Sequence, residues 1–218
     1  MICDVIATGS TGNAVVLNGE ILVDCGVPFK QLAPHTKGLL LVLLTHRHGD
    51  HLNPATARRL HESNPLIRFG CCDWMVPHLL AAGIPARCVD VYEPGQMYAY
   101  GGGRVMVEPF VLTHDVENCG YKLWISGESA LYATDTANMD GVSAPGFDLY
   151  MIESNFTEAE LAERIARKEA AGEYIYEYRA QASHLSREAA DLWLAMNAGP
   201  NSRVVYLHQH KERTNDNA

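Results

Sequence analysis

The stretch Thr45-His46-Arg47-His48-Gly49-Asp50-His51 decides the fold and the chemistry expected of this chain. It directly follows a continuously apolar run, which is typical of a strand buried on both faces. Residues two apart on an extended segment point to one side, so His46 and His48 can share one ion. The chain then turns at Gly49, so Asp50 and His51 can face a second ion. The spacing therefore predicts two metal sites at the end of a buried strand.

The side chains of this stretch also limit which metal is expected. Imidazole and carboxylate are ligands that zinc favours, and they also suit manganese and iron. We therefore expect two divalent ions, with Zn²⁺ as the first choice and Mn²⁺ or iron as alternatives. A loop with incidental histidines is the competing interpretation, which three histidines and one aspartate at this spacing disfavour.

Four side chains cannot complete two metal sites, so further ligands must come from later in the chain. Three candidates follow apolar, strand-like runs: His114, Asp135 and His208. Asp135 gains weight because one carboxylate can bridge two ions. An aspartate just past a strand end is also a common turn former, so that alternative stays open.

Length and charge bound the possible functions. A chain of 218 residues suits one domain, which we place at residues 1–210, with a polar tail at 211–218. The formal net charge of −9 argues against a broad, sequence-independent nucleic-acid surface. It does not exclude a phosphodiester substrate, because two bound divalent ions would add about +4 at the site.

Cysteine usage and hydropathy indicate the compartment. The six cysteines contain no Cys-x-x-Cys pair and lie in apolar stretches, as buried free thiols do in a reducing environment. No signal peptide precedes the first strand-like run, and no apolar run approaches the roughly 18 residues of a membrane span. We therefore expect a cytoplasmic protein without a membrane partner.

The order of predicted elements indicates an α/β fold. The apolar run from Gly38 to Thr45 predicts a buried strand, and Pro54 to Glu62 predicts a helix with Asn53 as N-cap. A second helix begins after Thr157 and ends near Gly172. Strands followed by helices, twice over, predict two βα halves that pack as a four-layer αβ/βα sandwich.

The sequence resembles the metallo-β-lactamase superfamily over nearly its whole length, through the run His-x-His-x-Asp-His followed by separate His, Asp and His. Further stretches resemble the YycJ (WalJ) branch, which has prophage-borne relatives and is similar to nuclease-like phosphodiesterases such as tRNase Z. These stretches are Gly9-Ser10-Thr11-Gly12-Asn13, Leu22-Val23-Asp24-Cys25-Gly26, Ala133-Thr134-Asp135-Thr136, Glu153-Ser154-Asn155 and Ser183-His184-Leu185-Ser186.

The resemblance implies a set of ligands. The first ion would be held by His46, His48 and His114. The second would be held by Asp50, His51 and His208, with Asp135 between the two ions. Asp24 would be a buried carboxylate that braces the histidine loop, although a turn-forming role is equally open.

The last ligand is ambiguous. The family usually has Leu-x-His-Leu-Ser at this point, whereas this chain has Leu207-His208-Gln209-His210-Lys211. The position directly after a strand favours His208 over His210.

The resemblance also implies an acid–base pair. Glu153 and His184 resemble the Glu–His pair that helps to protonate the leaving group in tRNase Z-like enzymes, and with Asp50 they are the candidate catalytic residues. A histidine held by a carboxylate is a common proton donor near neutral pH. The alternatives are a helix-cap neighbour for His184 and an ordinary salt-bridge partner for Glu153.

Together these features predict a dinuclear metal-dependent hydrolase. The leading function is a phosphodiesterase or nuclease that uses a metal-bridged hydroxide, with a nucleic acid or nucleotide as substrate. The alternatives are a small-molecule thioester, lactone or β-lactam hydrolase and a non-catalytic metal-binding scaffold. Relatives commonly dimerise, so a homodimer is a further expectation.

Two stretches near the predicted site admit more than one interpretation. The glycine-rich turn Gly9 to Asn13 either supplies backbone N–H donors to the site or is only a hairpin turn. Tyr174, Tyr176 and Tyr178 alternate ahead of His184, so they either stack on bases or form a packed strand. The basic residues Arg58, Arg59, Arg164, Arg167, Lys168 and Arg179 either form a local patch or lie on solvated helix faces.

Overall fold

The apolar run ahead of the histidine motif forms strand β4, Leu41–Leu44, and all of its side chains are buried. It lies between two parallel neighbours, β3 (Ile21–Val23) and β5 (Arg68–Cys72). Helices or a second sheet cover both faces of such a strand, which explains its uninterrupted hydrophobicity. The structure, a computed structural model, describes residues 1–209, so His210 and the predicted tail at 211–218 lie outside the described residues.

The first sheet has six strands in sequential order, β1 to β6. The pairs β1–β2 and β2–β3 are antiparallel, and the pairs from β3 to β6 are parallel. The other strands of this sheet are β1 (Cys3–Ala7), β2 (Ala14–Leu17) and β6 (Val89–Tyr92).

The second sheet also has six strands, in the order β12-β11-β10-β9-β8-β7. The strands from β7 to β10 pair antiparallel, whereas β10, β11 and β12 are parallel. Their bounds are β7 (Tyr98–Tyr100), β8 (Val105–Leu112), β9 (Asn118–Ile125), β10 (Glu128–Ala133), β11 (Leu149–Glu153) and β12 (Arg203–Leu207).

The described residues form six α-helices beside the sheets: α1 (Phe29–Leu32), α2 (Pro54–Ser63), α3 (Val76–Ala81), α4 (Glu158–Ala171), α5 (Glu177–Ser183) and α6 (Arg187–Asn197). One buried cluster joins the first sheet to the first three helices, and a second lies between the sheets. A third packs α6 against the second sheet. This layering confirms the predicted four-layer αβ/βα sandwich. Within residues 1–209, no helix has the length and apolar character that crossing a membrane requires.

The predicted helix ends are confirmed by their contacts. The side chain of Asn53 accepts a hydrogen bond from the backbone N–H of Thr56 at 3.1 Å, at the start of α2. Thr157 accepts from the N–H of Glu160 at 3.3 Å. Gly172 ends α4 in the left-handed region with φ 65°, a conformation that favours glycine.

The packed strand considered for the tyrosine row is wrong. The chain turns back after α4 and forms α5, and Tyr174, Tyr176 and Tyr178 are all exposed. Between them lies Glu177, a buried carboxylate that pairs with Lys168 on α4. This ion pair holds the segment against a helix, so the alternating tyrosines do not face a sheet.

Among the described residues, five that follow strand ends have a backbone conformation that is uncommon outside glycine. Asn18 and Ser126 lie in turns between antiparallel strands, and the other three are predicted site residues. Asp24, Asp135 and His208 have φ values of 59°, 56° and 51°. They follow β3, β10 and β12 respectively. Such conformations cost free energy and concentrate at functional sites. The turns redirect the chain where the predicted metal ligands are needed.

Candidate metal centre

His46, His48 and His114 converge at the end of β4. The Nε2 atom of His46 lies 3.1 Å from the Nδ1 atom of His48, and the His114 ring is 5.2 Å from both rings, centre to centre. Two nitrogens bound tetrahedrally to one zinc ion lie about 3.3 Å apart. The spacing therefore fits three imidazoles around one ion.

The orientation of the His114 ring is fixed by a hydrogen bond on its Nδ1 side. Its Nδ1–H donates to the carbonyl oxygen of Ser183 at 2.9 Å. Its Nε2 atom is buried and makes no hydrogen bond, with Asp115 Oδ1 3.1 Å away. Burial lowers the pKa of His114 and, more strongly, that of His46. Both imidazoles are therefore neutral near pH 7, the form that binds metal.

His51 lies beneath this group, fully buried between two carboxylates. Its Nδ1 atom is 2.7 Å from Asp24 Oδ2, and its Nε2 atom is 2.7 Å from Asp135 Oδ2. Asp24 also accepts hydrogen bonds from the backbone N–H and the hydroxyl of Thr45, each at 3.0 Å. Asp24 thus connects the end of β4 to the His51 ring, the contact pattern of a bracing carboxylate.

The charges of this group depend on each other. Burial lowers the pKa of His51, but Asp135 and Asp24 raise it well above the usual value. Burial raises the pKa of Asp135, but His51 lowers it well below the usual value. Both carboxylate contacts therefore favour a charged pair, and a divalent cation would supply the same compensation.

Asp50 lies at the edge of the centre. Its Oδ2 atom is 3.8 Å from His51 Nε2, and its side chain is 23% exposed. It belongs to none of the groups of three or more side chains within ligand distance that the described residues form. The structure therefore brings Asp50 into the cleft but less close to the other candidates than His46 or His51.

The glycine-rich turn packs against the histidine loop. The backbone N–H of Asn13 donates to the carbonyl oxygen of Asp50 at 2.6 Å. The N–H of Gly9 donates to the side-chain oxygen of Asn13 at 2.9 Å. These two donors are engaged within the loops and are not offered to a ligand. A Cβ atom on Gly26 would lie 1.7 Å from the Asp50 carbonyl oxygen, so only glycine fits there.

Glu153, at the end of β11, holds two histidines with one oxygen. Its Oε1 atom is 2.7 Å from Nδ1 of His184 and 2.9 Å from Nδ1 of His208. Its Oε2 atom accepts from the backbone N–H of Thr136 and of Leu185. Burial raises the pKa of Glu153, but the hydrogen bonds from both histidines lower it below the usual value. Glu153 is therefore an ionised, fully satisfied carboxylate.

His208 is held on several sides. Its backbone N–H donates to the Thr8 hydroxyl at 2.6 Å, and its carbonyl oxygen accepts from the Asn155 side chain at 3.1 Å. Its Nδ1 atom lies 3.4 Å from Asp135 Oδ1. Its Nε2 atom is buried and has no hydrogen-bond partner. The competing candidate, His210, lies outside the described residues.

The candidate ligands form three overlapping groups. They are His46 with His48 and His114; His46 with His51 and Asp135; and Asp135 with Glu153, His184 and His208. Two histidine nitrogens that are buried without hydrogen-bond partners belong to the first and third groups. Unsatisfied buried polar atoms are costly unless a ligand or ion binds them. The nitrogen and oxygen donors therefore fit divalent metal.

The candidate ligands open into a cleft of about 840 Å³. Its lining also includes Asp115 and Arg179, which were not predicted as site residues from the sequence. Asp115 Oδ1 lies 3.1 Å from His114 Nε2 and 3.5 Å from His48 Nε2. Its other oxygen forms an ion pair with Arg179. The only signal for Asp115 in the sequence is its position next to His114.

Asn13 and Asn155 were also missed, although the motif stretches contain both. Asn13 reaches His51 Nε2 at 2.8 Å, and Asn155 reaches His208. Their membership in the quoted stretches was a usable signal, but an asparagine in a turn is usually only a turn former.

The fold and the donor groups define an α/β sandwich with a candidate metal centre at its strand ends. Residues 20–209 match the family described as the beta-lactamase superfamily domain, and the chain belongs to that family. Its members include metal-dependent hydrolases. No curated protein sequence is detectably similar to the chain.

Solved structures show the same fold at low sequence identity. The metallo-beta-lactamase fold protein YhfI from Bacillus subtilis is 16% identical with a TM-score of 0.70, covering 95% of this chain and 85% of that one. The short form of human tRNase Z is 17% identical with a TM-score of 0.68, covering 96% and 93%. A diphosphatase from the PhnP family is 14% identical with a TM-score of 0.65, covering 95% and 85%.

Proposed function

We propose that the protein is a dinuclear metal-dependent phosphodiesterase. The observation that carries the proposal is the Glu153–His184 pair beside Asp135. His184 Nδ1 lies 2.7 Å from Glu153 and 3.5 Å from Asp135, and His184 lines the cleft. A proton donor held by a carboxylate is thereby placed next to the candidate metal ligands, as protonation of a leaving oxygen requires.

The proposed ligands of the first ion form one of the observed groups, whereas those of the second ion are the set that the family resemblance implies. His46, His48 and His114 would hold the first ion, and Asp50, His51 and His208 the second, with Asp135 shared. Zinc is the proposed metal, since three imidazole ligands suit it. When bound, two such ions would supply an activated water and positive charge for the phosphoryl oxygens. Metal analysis of protein purified without added metal decides between zinc, manganese and iron.

The chain's own residues supply the remaining steps. Glu153 fixes the orientation of His184 through Nδ1, which leaves the Nε2 atom of His184 to meet the substrate. Because Glu153 accepts from Nδ1, the His184 ring stays in one orientation while the proton is transferred. Asp24 holds His51 in one orientation throughout.

The known relatives support this choice only by analogy. By their names, two structural neighbours are a tRNA-processing enzyme and a diphosphatase, so both process phosphate-containing substrates. Their low identity shows the fold and leaves the substrate to the site itself. Membership in the YycJ (WalJ) branch and homodimerisation also stay predictions.

A substrate panel tests the proposal. Protein loaded with zinc or manganese would be given bis(p-nitrophenyl) phosphate, single- and double-stranded DNA, RNA, cyclic nucleotides, a lactoyl thioester and a chromogenic β-lactam. We expect metal-dependent cleavage of phosphodiesters that a chelator abolishes. Turnover of the thioester or the lactam alone would overturn the proposal. No turnover at full metal occupancy would favour a metal-binding scaffold.

The variant His184→Ala tests the proton donor. We expect it to keep both metals and to lose about 10²- to 10⁴-fold in phosphodiesterase rate, the usual contribution of general acid catalysis. The control is His35→Ala, because His35 does not line the cleft. Loss of metal from His184→Ala, measured by elemental analysis, would instead make His184 a ligand.

A further inference from the structure

Helix α5 presents one face to the cleft. The face consists of Tyr176, the residue at its N-cap, with Arg179, Ala180 and Ser183, all of which line the cleft. Their spacing is i, i+3, i+4 and i+7, which places them on one side of a helix. The backbone N–H groups of Arg179 and Ala180 both donate to the carbonyl oxygen of Tyr176. Tyr176 and Arg179 therefore lie one turn apart.

The Tyr176 ring packs against a lysine of α4. The Nζ atom of Lys168 lies 3.8 Å from the centre of this ring. Lys168 is in turn held by the buried Glu177 at 2.9 Å. Tyr176 remains 43% exposed, so part of the ring is free for contact within the cleft. A fixed aromatic surface binds a flat group with little further loss of entropy.

Among the described residues that line the cleft, Arg179 is the only lysine or arginine. Its guanidinium pairs with Asp115, which lies 3.1 Å from His114 and 3.5 Å from His48. The Arg179 side chain is still 74% exposed, so donors remain available. Arginine is well shaped for phosphate oxygens. One arginine suits one phosphate, whereas grooves for long polymers track the backbone with many cations.

We propose that the cleft-facing side of α5 selects a small nucleotide phosphodiester. Tyr176 stacks on the base of one nucleoside, and Arg179 binds an oxygen of its phosphate. This assignment rests on the proposed phosphodiesterase function and specifies its substrate. A long single-stranded nucleic acid is the competing substrate, and the chain's net charge of −9 disfavours it.

Two substrates with one leaving group measure the role of Tyr176. They are the p-nitrophenyl ester of thymidine 5′-phosphate and methyl p-nitrophenyl phosphate. We expect Tyr176→Leu to lower the ratio of their kcat/KM values about tenfold, because stacking on a base contributes that order of affinity. Tyr176→Phe keeps the ratio. The control Tyr178→Leu also keeps it, because Tyr178 lies on α5 but does not line the cleft.

Arg179→Gln gives a different signature. We expect the KM for both esters to rise several-fold while their ratio stays close to that of the unchanged protein, because both carry the phosphate. Arg187→Gln is the matched control, since Arg187 is paired on α6 outside the cleft. A change in the ratio without a rise in KM would show that Arg179 does not bind the phosphate.

A binding experiment separates this proposal from the proposed function. Calorimetry would compare adenosine 5′-monophosphate with ribose 5-phosphate, which differ in the base. We expect the nucleotide to bind about tenfold more tightly, and Tyr176→Leu to abolish that difference. Equal binding of both ligands overturns the proposal even if phosphodiesters are cleaved. If no ester is cleaved, the proposed phosphodiesterase function is wrong. Calorimetry still shows in that case whether Tyr176 contacts the base. Much tighter binding of a long single-stranded oligonucleotide would overturn the choice of a small substrate.

Discussion

The cleft has a floor and a wall that are built in opposite ways. The floor consists of His46, His51, Asp135, Glu153 and His208, which are buried at strand ends. The wall is the cleft-facing side of α5 defined above, with Tyr176 and Arg179 exposed. The floor is fixed by many hydrogen bonds from both sheets, whereas the wall is held by fewer contacts, with Lys168 on α4, Asp115 and His114.

This difference suggests a division of labour. Metal binding and proton transfer need atoms held to within fractions of an ångström, which buried strand ends provide. Substrate selection tolerates more variation, so it can be assigned to an exposed helix. Changes to the floor should therefore alter metal content and rate, and changes to the wall should alter which substrate is preferred.

The largest effect is expected from Glu153→Gln on the floor. Glu153 accepts four hydrogen bonds through two oxygens, whereas glutamine has one carbonyl oxygen and an NH2 group. Two of the four donors therefore lose their acceptor, and the orientation of His184 and His208 is disturbed. We expect kcat to fall about 10³-fold and the affinity for the second metal to fall about tenfold. Steady-state kinetics and metal titration measure the two effects.

The control for this substitution is Glu108→Gln, which removes a carboxylate from an ion pair with Lys122 on neighbouring strands of the same sheet. It should leave kcat and metal affinity close to those of the unchanged protein. If Glu153→Gln behaves like this control, the floor does not depend on Glu153 and the proposed proton-transfer pair is wrong.

Gly26→Ala should have the next largest effect. Its Cβ atom would overlap the carbonyl oxygen of Asp50, so the histidine loop must move. We expect a loss of about 3 kcal/mol in the free energy of unfolding, roughly a 10 °C fall in Tm, with weaker metal binding. Gly49→Ala is the matched control, because nothing lies within 4 Å of a Cβ atom there. Equal Tm values for both variants would show that the loop adapts freely.

Asp24→Asn tests the bracing of the floor with a smaller change. The substitution keeps the shape but removes the charge that faces Nδ1 of His51. We expect metal affinity to fall about 10- to 100-fold, as for other carboxylates behind histidine ligands. Competition with a chelating dye measures it, and Asp4→Asn on β1 is a distant control. Unchanged affinity would leave Asp24 a turn former, the alternative that the sequence allows.

The sequence predicted the floor better than the wall. Rare ligand types at fixed spacing, such as His46 and His51 after an apolar run, leave few alternatives. His114, Asp135 and His208 were predicted as site residues because four side chains cannot complete two metal sites, and these three follow strand-like runs. What the sequence did not show is how Glu153 joins His184 and His208 through one oxygen, because that contact depends on packing between β11, β12 and the loop before α6.

The wall was predicted poorly for a physical reason. Alternation of Tyr174, Tyr176 and Tyr178 suits a strand, and no local signal shows that Glu177 will be buried against Lys168. Short elements such as β6, β7 and α1 were missed too, since tertiary packing rather than propensity determines them. The long buried strand and the capped helices were predicted because each has its own local signal.

Tyr178→Phe is expected to have the smallest effect, and it marks the limit of the wall. The Tyr178 hydroxyl donates to Glu169 on α4 at 2.8 Å, but the contact is exposed. Its loss should change the free energy of unfolding by no more than about 0.5 kcal/mol. Calorimetric Tm and the preference for the nucleoside ester over the methyl ester should both stay close to those of the unchanged protein. A clear loss of that preference would mean that this surface hydrogen bond, and not the Lys168–Glu177 pair, positions the Tyr176 ring.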